Sequence, residues 1–133
     1  TAVILDTASG YGGSFQKVGQ RRSLVISVAC CAALVKADHT GRVFEDVRLA
    51  LGGVGPRPIR MFEAEAALQG EAISHALIDR VARTAAEAVG SRSRQEYRRE
   101  VVVNFVRAAL HDALADQADV EVKFQDAREQ AHV

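Results

Sequence analysis

The stretch FQKVGQRRSLVISVACCAALV, residues 15–35, decides the fold, because a cluster of cations runs directly into a long apolar segment. The cations are Lys17, Arg21 and Arg22, and a glycine interrupts them. Residues 24–35 have one polar side chain and are rich in β-branched and small residues, which favours a strand. A strand that is apolar on both faces is normally buried on both. We therefore predict a basic loop at the edge of a sheet, followed by a strand that something covers on each side.

A second strand is predicted directly after the first. Residues 38–41, DHTG, have turn chemistry, and residues 42–51 alternate apolar with charged or small side chains over much of their length. Two strands joined by a short glycine turn make an antiparallel hairpin. Residues 52–58, GGVGPRP, end the second strand, and residues 59–61 fit a short third one.

The rest of the chain has the pattern of helices. Residues 62–69 precede a glycine, residues 71–89 carry apolar side chains at spacings of three and four, and residues 94–115 are apolar over a wide arc. Strands followed by helices predict an α+β fold. We expect an antiparallel, hairpin-based sheet of three to four strands, with about three helices packed on one face.

Composition restricts the class of protein. The 133 residues suffice for one domain, and 17 basic residues balance 17 acidic ones, which argues against nucleic acid as the main partner. No apolar run is long enough to span a bilayer. The chain begins with Thr1, and residues 2–5 resemble the end of a strand, so we expect a piece of a larger protein; a processed terminus is the alternative. Adjacent Cys30 and Cys31 would point to opposite faces of a strand, where a bond between them would be strained. This predicts buried free thiols in a cytoplasmic protein, with a redox pair as the alternative.

Few other residues point to a particular chemistry. The GVG at 53–55 begins a dinucleotide-binding pattern, but Pro58 stands where the third glycine belongs, so a strand-ending turn is the simpler interpretation. The four histidines are isolated in the sequence, without the spacing of metal ligands. The arginines of residues 92–99 fit either a solvated helix start or a patch for a subunit or an anion. Residues 15–22 fit either a solvated loop or one that faces an anion or a redox cofactor.

Four stretches, in this order, carry a resemblance to a known family. They are FQKVGQRRSLVISVA at 15–29, LALGGVGPRPIR at 49–60, AEAALQG at 64–70, and EYRR at 96–99 followed by VRAAL at 106–110. Together they resemble the C-terminal domain of the FAD-binding subunit of molybdenum hydroxylases, the relatives of carbon monoxide dehydrogenase and xanthine dehydrogenase. The α+β fold that this resemblance implies agrees with the pattern of strands and helices.

The resemblance implies a division of the chain. Residues 1–10 would be the end of a preceding domain or a linker, and residues 11–116 the flavoprotein C-terminal domain. Residues 117–133 would be a tail outside the resemblance. Within it, the alternation at 120–124 fits an added edge strand, and the polar residues that follow fit a frayed, partly disordered terminus.

The resemblance also implies cofactors and partners. In the family, FAD is held mainly by two preceding domains, and the C-terminal domain closes over the flavin. The molybdenum cofactor and the 2Fe–2S clusters belong to a large and a small partner subunit, and electrons pass from the clusters to FAD and then to an acceptor. A cytoplasmic oxidoreductase is implied, with no catalytic residue in this chain by itself. The alternative is a stand-alone α+β module that dimerises and is not an enzyme.

Five residues are carried over from the resemblance as cofactor-binding candidates. Lys17 matches the family's lysine near the flavin, and the loop beside it holds Gln20, Arg21 and Arg22. Positive charge there would stabilise the reduced, anionic flavin. Phe15 stands where the family usually has tyrosine, and Gln20 where it commonly has arginine. The loop therefore has one hydroxyl donor and one charge fewer than many relatives.

Overall fold

The computed structural model describes residues 2–4, 7–19, 27–90 and 94–131. They form a four-stranded antiparallel sheet in the order β1-β2-β3-β4, together with three helices, which confirms the predicted α+β class. The strands are β1 (Gly12–Gly19), β2 (Ser27–Ala37), β3 (Phe44–Gly52) and β4 (Ile59–Arg60). The helices are α1 (Phe62–Leu68), α2 (His75–Ala85) and α3 (Gln95–Ala131), and a short 3-10 turn, Ala86–Ala88, follows α2.

The predicted hairpin is confirmed as β2 and β3, and Asp38 holds its turn. The Asp38 Oδ1 accepts hydrogen bonds from the Thr40 hydroxyl at 2.7 Å and from the Val43 backbone N–H at 3.3 Å. The Thr40 hydroxyl is the main reason why the pKa of Asp38 lies below its ordinary value, and the backbone donors add to it. Gly41 has φ +71°, a left-handed conformation that favours glycine.

Strand β1 corrects the prediction of a basic loop for residues 15–19 of the predicted stretch 15–22. Gly12–Gly19 pairs antiparallel with β2, so Phe15 and Lys17 lie within a strand. The glycines at its start are poor strand formers by themselves, but Gly12 lets α3 pass closely over the strand. Residues 20–26 lie outside the described part of the chain.

The hydrophobic core lies between one face of the sheet and the three helices. The core-facing side chains of β2 and β3 are buried: Ala29, Cys31, Ala33, Val35, Val47, Leu49 and Leu51. Helix α3 packs across β1 and β2 through the buried stripe Val102, Val106, Ala109, Leu110 and Ala113. The β2 residues on this face are mostly small, which allows the helix backbone to approach the sheet.

The helices differ from their predicted bounds at both ends of α2 and at the end of α3. The helix predicted to run to residue 89 ends at Ala85, where the 3-10 turn begins. Helix α2 begins after Ser74, whose side chain accepts a hydrogen bond from the Leu77 N–H at 3.1 Å, and not at Glu71. The Glu71 carbonyl instead accepts from the Phe44 N–H at 3.0 Å, which extends the sheet edge. The third helix was predicted to end at residue 115, with a separate tail over residues 117–133.

Helix α3 runs to Ala131, so residues 120–124 are helical and the predicted edge strand is wrong. Extending an existing helix needs no new nucleus, and this explains why a weak alternation there does not make a strand. The division into residues 1–10, 11–116 and 117–133 stays a prediction, although α3 crosses residue 116 without interruption. No helix among the described residues is both long enough and apolar enough to cross a membrane.

Candidate functional site

The sheet face opposite the helices is open and apolar at its centre. The strand register places Phe15 beside Ala32, and Ala32 beside Ala50. The Phe15 side chain is 62% exposed, and Ala32 is also exposed. The prediction that β2 is covered on both faces is therefore wrong for the described residues. The apolar pattern of residues 24–35 did not predict this open face, because alanine and cysteine count as apolar but are small. Their exposure to solvent therefore costs little free energy.

A shallow groove of about 470 Å³ lies on this open face. Its lining is Gly13, Ser14, Phe15, Ala32, Ala33, Leu34, Arg48, Leu49, Ala50 and Arg60. The floor consists mainly of small and aliphatic residues, and two arginines stand at its edge. Such a surface suits a flat apolar or aromatic group that carries negative charge at one side.

Lys17 lies on the same open face, two residues after Phe15 on β1. It pairs with Cys30 in the register, next to the pair formed by Phe15 and Ala32, and its side chain is exposed. The four ion pairs found among the described residues do not include Lys17. Its charge is therefore available to an anion that approaches the open face.

The two groove arginines are already paired. The Arg60 Nε lies 2.8 Å from the Glu65 Oε1, and the Arg48 Nε lies 3.6 Å from the Asp46 Oδ2. Both arginines keep nearly half of their side-chain surface exposed, 45% and 42%. These carboxylates reduce the net charge that the arginines present, so Lys17 carries the stronger uncompensated field on this face.

The structure describes two of the five residues predicted to bind a cofactor. Phe15 and Lys17 are brought together on the open face, two residues apart on β1. Gln20, Arg21 and Arg22 lie outside the described residues. Sequence reasoning missed the arginines of the groove.

The alternation of β3 could have indicated Arg48, because residues two apart on a strand share a face. Arg60 was not predicted because β4 has two residues, too few for a pattern.

A cluster around Asp46 ties the start of β1 to β3. The Tyr11 hydroxyl donates a hydrogen bond to the Asp46 Oδ2, and the Gln69 Nε2 donates to the Oδ1 at 2.7 Å. The Arg48 guanidinium lies 5.5 Å from the centre of the Tyr11 ring. The bond to Asp46 and partial burial raise the pKa of Tyr11. This cluster holds the segment just before β1 against β3, so it stabilises the fold.

The two cysteines lie on opposite faces of β2, as predicted, and both are free. Cys31 is fully buried in the core, and this burial raises the pKa of its thiol to about 12, with a smaller contribution from neighbouring Cys30. Cys30 is half-buried on the open face, opposite Gly52. Cys31 is thus a core residue whose thiol stays protonated, and therefore unreactive, at neutral pH.

The glycine-rich segment after β3 is a structural turn. Gly53 has φ +74°, Val54 is fully buried, and the Gly90 N–H donates to the Val54 carbonyl at 2.8 Å. The Arg98 Nη1 donates to the Gly53 carbonyl at 2.7 Å, which ties the turn to α3. The strand-ending interpretation of this segment is therefore confirmed, and Arg98 of the EYRR stretch has a structural partner.

The second and third family-like stretches are joined by Glu65. This side chain is 3% exposed, and its Oε1 accepts from the Leu49 backbone N–H at 2.9 Å as well as from Arg60. The carboxylate thus satisfies a backbone donor of β3 that lies just beyond the two residue pairs formed with β4. Within the family-like stretches 49–60 and 64–70, Arg60 and Glu65 thus stabilise the fold.

Comparison with protein families decides the relationship. Residues 14–113 match the model of the CO dehydrogenase flavoprotein C-terminal domain. The chain belongs to this family. The match runs from within β1 to the middle of α3 and includes Phe15, Lys17 and the two groove arginines. The resemblance to the C-terminal domain of the FAD-binding subunit is confirmed.

Solved structures agree with this flavoprotein C-terminal domain. Carbon monoxide dehydrogenase from Hydrogenophaga pseudoflava matches with a TM-score of 0.74 and 25% identity, over 83% of this chain and 39% of that chain. Quinoline 2-oxidoreductase from Pseudomonas putida 86 has the same fold, with a TM-score of 0.70 and 20% identity over 79% of this chain and 37% of that one.

CO dehydrogenase from Oligotropha carboxidovorans also shares the fold, with a TM-score of 0.69 and 24% identity over 80% of this chain and 38% of that one. The chain therefore spans about two fifths of the length of the solved chains that it matches. No similar protein is found among curated sequences.

Proposed function

We propose that the open sheet face forms one wall of a flavin pocket in a molybdenum-hydroxylase-type oxidoreductase. FAD would be held mainly by the domains that precede this one in the parent protein, and this domain would close over it. The observation that carries the proposal is Lys17, an exposed cation without an ion pair among the described residues, on the same apolar face as Phe15.

The described residues fit such a ligand. Ala32 and Ala50 form a low surface beside the exposed Phe15 ring, which suits contact with a flat aromatic system. Lys17 stands at the edge of that surface, where it would hold negative charge on a reduced flavin. FAD itself supplies the transfer of electrons when bound. Gln20, Arg21 and Arg22 complete the proposed set of contacts.

The proposed parent enzyme is an assembly. A small subunit would carry 2Fe–2S clusters and a large subunit the molybdenum cofactor, and electrons would pass from the clusters to FAD and then to an acceptor. This domain would contact the partners and contribute no catalytic residue, so it would be inactive by itself. The free thiols Cys30 and Cys31 fit a cytoplasmic location of the parent protein.

Substitution of Lys17 in the FAD-containing parent protein tests the proposal. We expect Lys17→Ala to lower the flavin reduction potential or the FAD content, because the reduced anion loses a favourable charge. A screened pair worth about 1 kcal/mol corresponds to about 20 mV for a two-electron couple. Redox titration by flavin absorbance and quantification of released FAD measure the two effects.

Lys36→Ala is the matched control for this experiment. Lys36 is a partly exposed lysine on β2, the strand that pairs with β1. Its Nζ lies 3.5 Å from the Glu45 Oε2, and it stands towards the opposite end of β2 from Cys30, the partner of Lys17. The control should leave the potential and the FAD content unchanged. An unchanged potential together with unchanged FAD content in Lys17→Ala would contradict the proposed role.

The 133-residue chain alone should not bind FAD tightly, because it supplies only one wall of the pocket. Titration of FAD with the purified chain, followed by flavin fluorescence, measures this. Saturable quenching at submicromolar concentration would show a complete site and would refute the accessory role.

The open apolar face also supports a second candidate, a stand-alone module that dimerises through this face. The exposed Phe15 and Ala32 would then be covered by a second copy. The coding sequence upstream of Thr1 separates the two proposals. A glycine-rich FAD-binding region there favours the flavoprotein, whereas a start codon favours the module.

A further inference from the structure

Two histidines that are 36 residues apart in the sequence meet where α2 crosses α3. His75 is the first residue of α2 and is exposed, and His111 lies in the middle of α3 and is half-buried. The His75 Nδ1 lies 3.4 Å from the His111 Nε2, and the ring centres are 4.9 Å apart at an interplanar angle of 36°. The two nitrogens therefore face each other across the helix pair.

This separation is longer than a good hydrogen bond but suits two ligands of one ion. A hydrogen bond that involves an N–H donor normally spans about 2.7–3.2 Å. Two imidazole nitrogens that bind zinc, each at about 2.0–2.1 Å in tetrahedral geometry, lie about 3.3–3.4 Å apart. The observed 3.4 Å thus matches the second arrangement with little movement of either ring.

We propose that His75 and His111 form a two-histidine binding site for a divalent transition metal of the zinc class. Imidazole nitrogen is a preferred ligand of such ions, and water can occupy the other positions because His75 is open to solvent. The described residues contain no group of three or more metal-ligating side chains, so this part of the chain contributes two ligands.

The surroundings predict moderate affinity. One helical turn after His75 on α2 and one turn before His111 on α3, the Asp79 Oδ1 lies 2.5 Å from the Arg107 Nε. This ion pair lacks hydrogen-bond geometry and occupies the carboxylate of α2. The positive end of the α2 dipole at His75 also opposes a cation. The site therefore relies on chelation by the two rings and not on local negative charge.

A metal at this position would link α2 to α3. A ligand that binds only the folded state stabilises that state, and the stabilisation grows with the ratio of the ligand concentration to its Kd. Zinc should therefore raise the Tm of the protein. This effect does not depend on flavin or on partner subunits.

Titration of tag-free, purified protein with Zn²⁺ alone tests the site. A competing chromophoric chelator reports the affinity, and thermal unfolding with and without Zn²⁺ reports the stabilisation. The variants are His75→Ala, His111→Ala and their combination. His39→Ala is the matched control, because His39 is an exposed histidine in the turn between β2 and β3.

We expect one equivalent of Zn²⁺ to bind the unmodified protein and to raise its Tm. Each single variant should bind at least about tenfold more weakly, since even partners outside the first coordination shell are worth 10–100-fold. The double variant should lose little more, because one imidazole cannot chelate. His39→Ala should behave as the unmodified protein.

Three outcomes would overturn the site: no stoichiometric binding by the unmodified protein, unchanged binding in either histidine variant, or equal loss in His39→Ala. If His111→Ala fails to fold, His75→Gln decides the question, because His75 is exposed and its replacement leaves the helix contacts intact. Far-UV circular dichroism without zinc confirms that each variant is folded.

Discussion

Replacement of Gly12 by alanine tests how α3 is seated on the sheet. A Cβ atom at Gly12 would lie 1.9 Å from the Ala113 backbone oxygen and 2.4 Å from the Gln117 backbone nitrogen. Both atoms belong to the α3 backbone, so no change of rotamer can move them. Glycine is required here by the approach of the helix and not by the conformation of the strand.

The size of the effect follows from this geometry. Real Cβ atoms almost never come within 3.0 Å of another heavy atom outside their neighbours, so α3 must shift by more than an ångström or the strand must bend. Insertion of a methyl group into a packed interior typically costs about 1–3 kcal/mol. The rigid partners place Gly12→Ala near the upper value, about 3 kcal/mol, or roughly 10 °C in Tm for a chain of this length.

Urea denaturation followed by far-UV circular dichroism measures the free energy of unfolding. Gly13→Ala is the control, because its Cβ would first meet the Leu34 Cδ2 at 3.3 Å, a side-chain methyl group that can rotate away. The control should lie within about 0.5 kcal/mol of the unmodified protein. A Gly12→Ala variant that loses less than about 1 kcal/mol, or that matches Gly13→Ala, would refute the reasoning.

Three further predictions concern Glu65 and the two cysteines. Glu65→Leu should lower the free energy of unfolding by about 2 kcal/mol because it leaves the Leu49 N–H unsatisfied, whereas Glu65→Gln keeps an acceptor and should cost about half as much; equal losses in urea denaturation would contradict this. At pH 8, iodoacetamide should modify Cys30 before Cys31 in the folded protein, as measured by peptide mass spectrometry, and equal rates would disprove the assigned faces. The pKa of Cys31 is raised from 9.0 to about 12 on folding, so the unfolded chain loses this thiol proton first. The free energy of unfolding should therefore fall as the pH rises through that range, and a Cys31→Ala variant should show a smaller fall.

The hairpin and the order of elements were predictable from local chemistry. The DHTG turn, the alternation of β3 and the apolar stripes of the helices each depend on residues close together in the sequence. Asp38 illustrates this, because its hydrogen-bond partners Thr40 and Val43 lie within five residues. The family-like stretches were also recognisable because each consists of residues that are adjacent in the sequence.

Strand β1 was not predictable in this way. Gly12 and Gly13 are typical of loops, and only the passage of α3 over the strand makes glycine suitable at position 12. The open face was hidden as well, because an apolar strand does not show in its sequence which of its sides the rest of the chain covers. Arg60 belongs to the groove through a strand of two residues that no periodicity can reveal.

The sequence by itself determined the α+β class, the β2–β3 hairpin and the family, and it singled out Lys17. Only the tertiary structure decided that Lys17 and Phe15 share an open face, and that His75 and His111 meet. The physical reason is the range of the interactions. Turn and periodicity signals act over a few residues, whereas exposure of a face and contact between helices depend on packing between segments far apart in the chain.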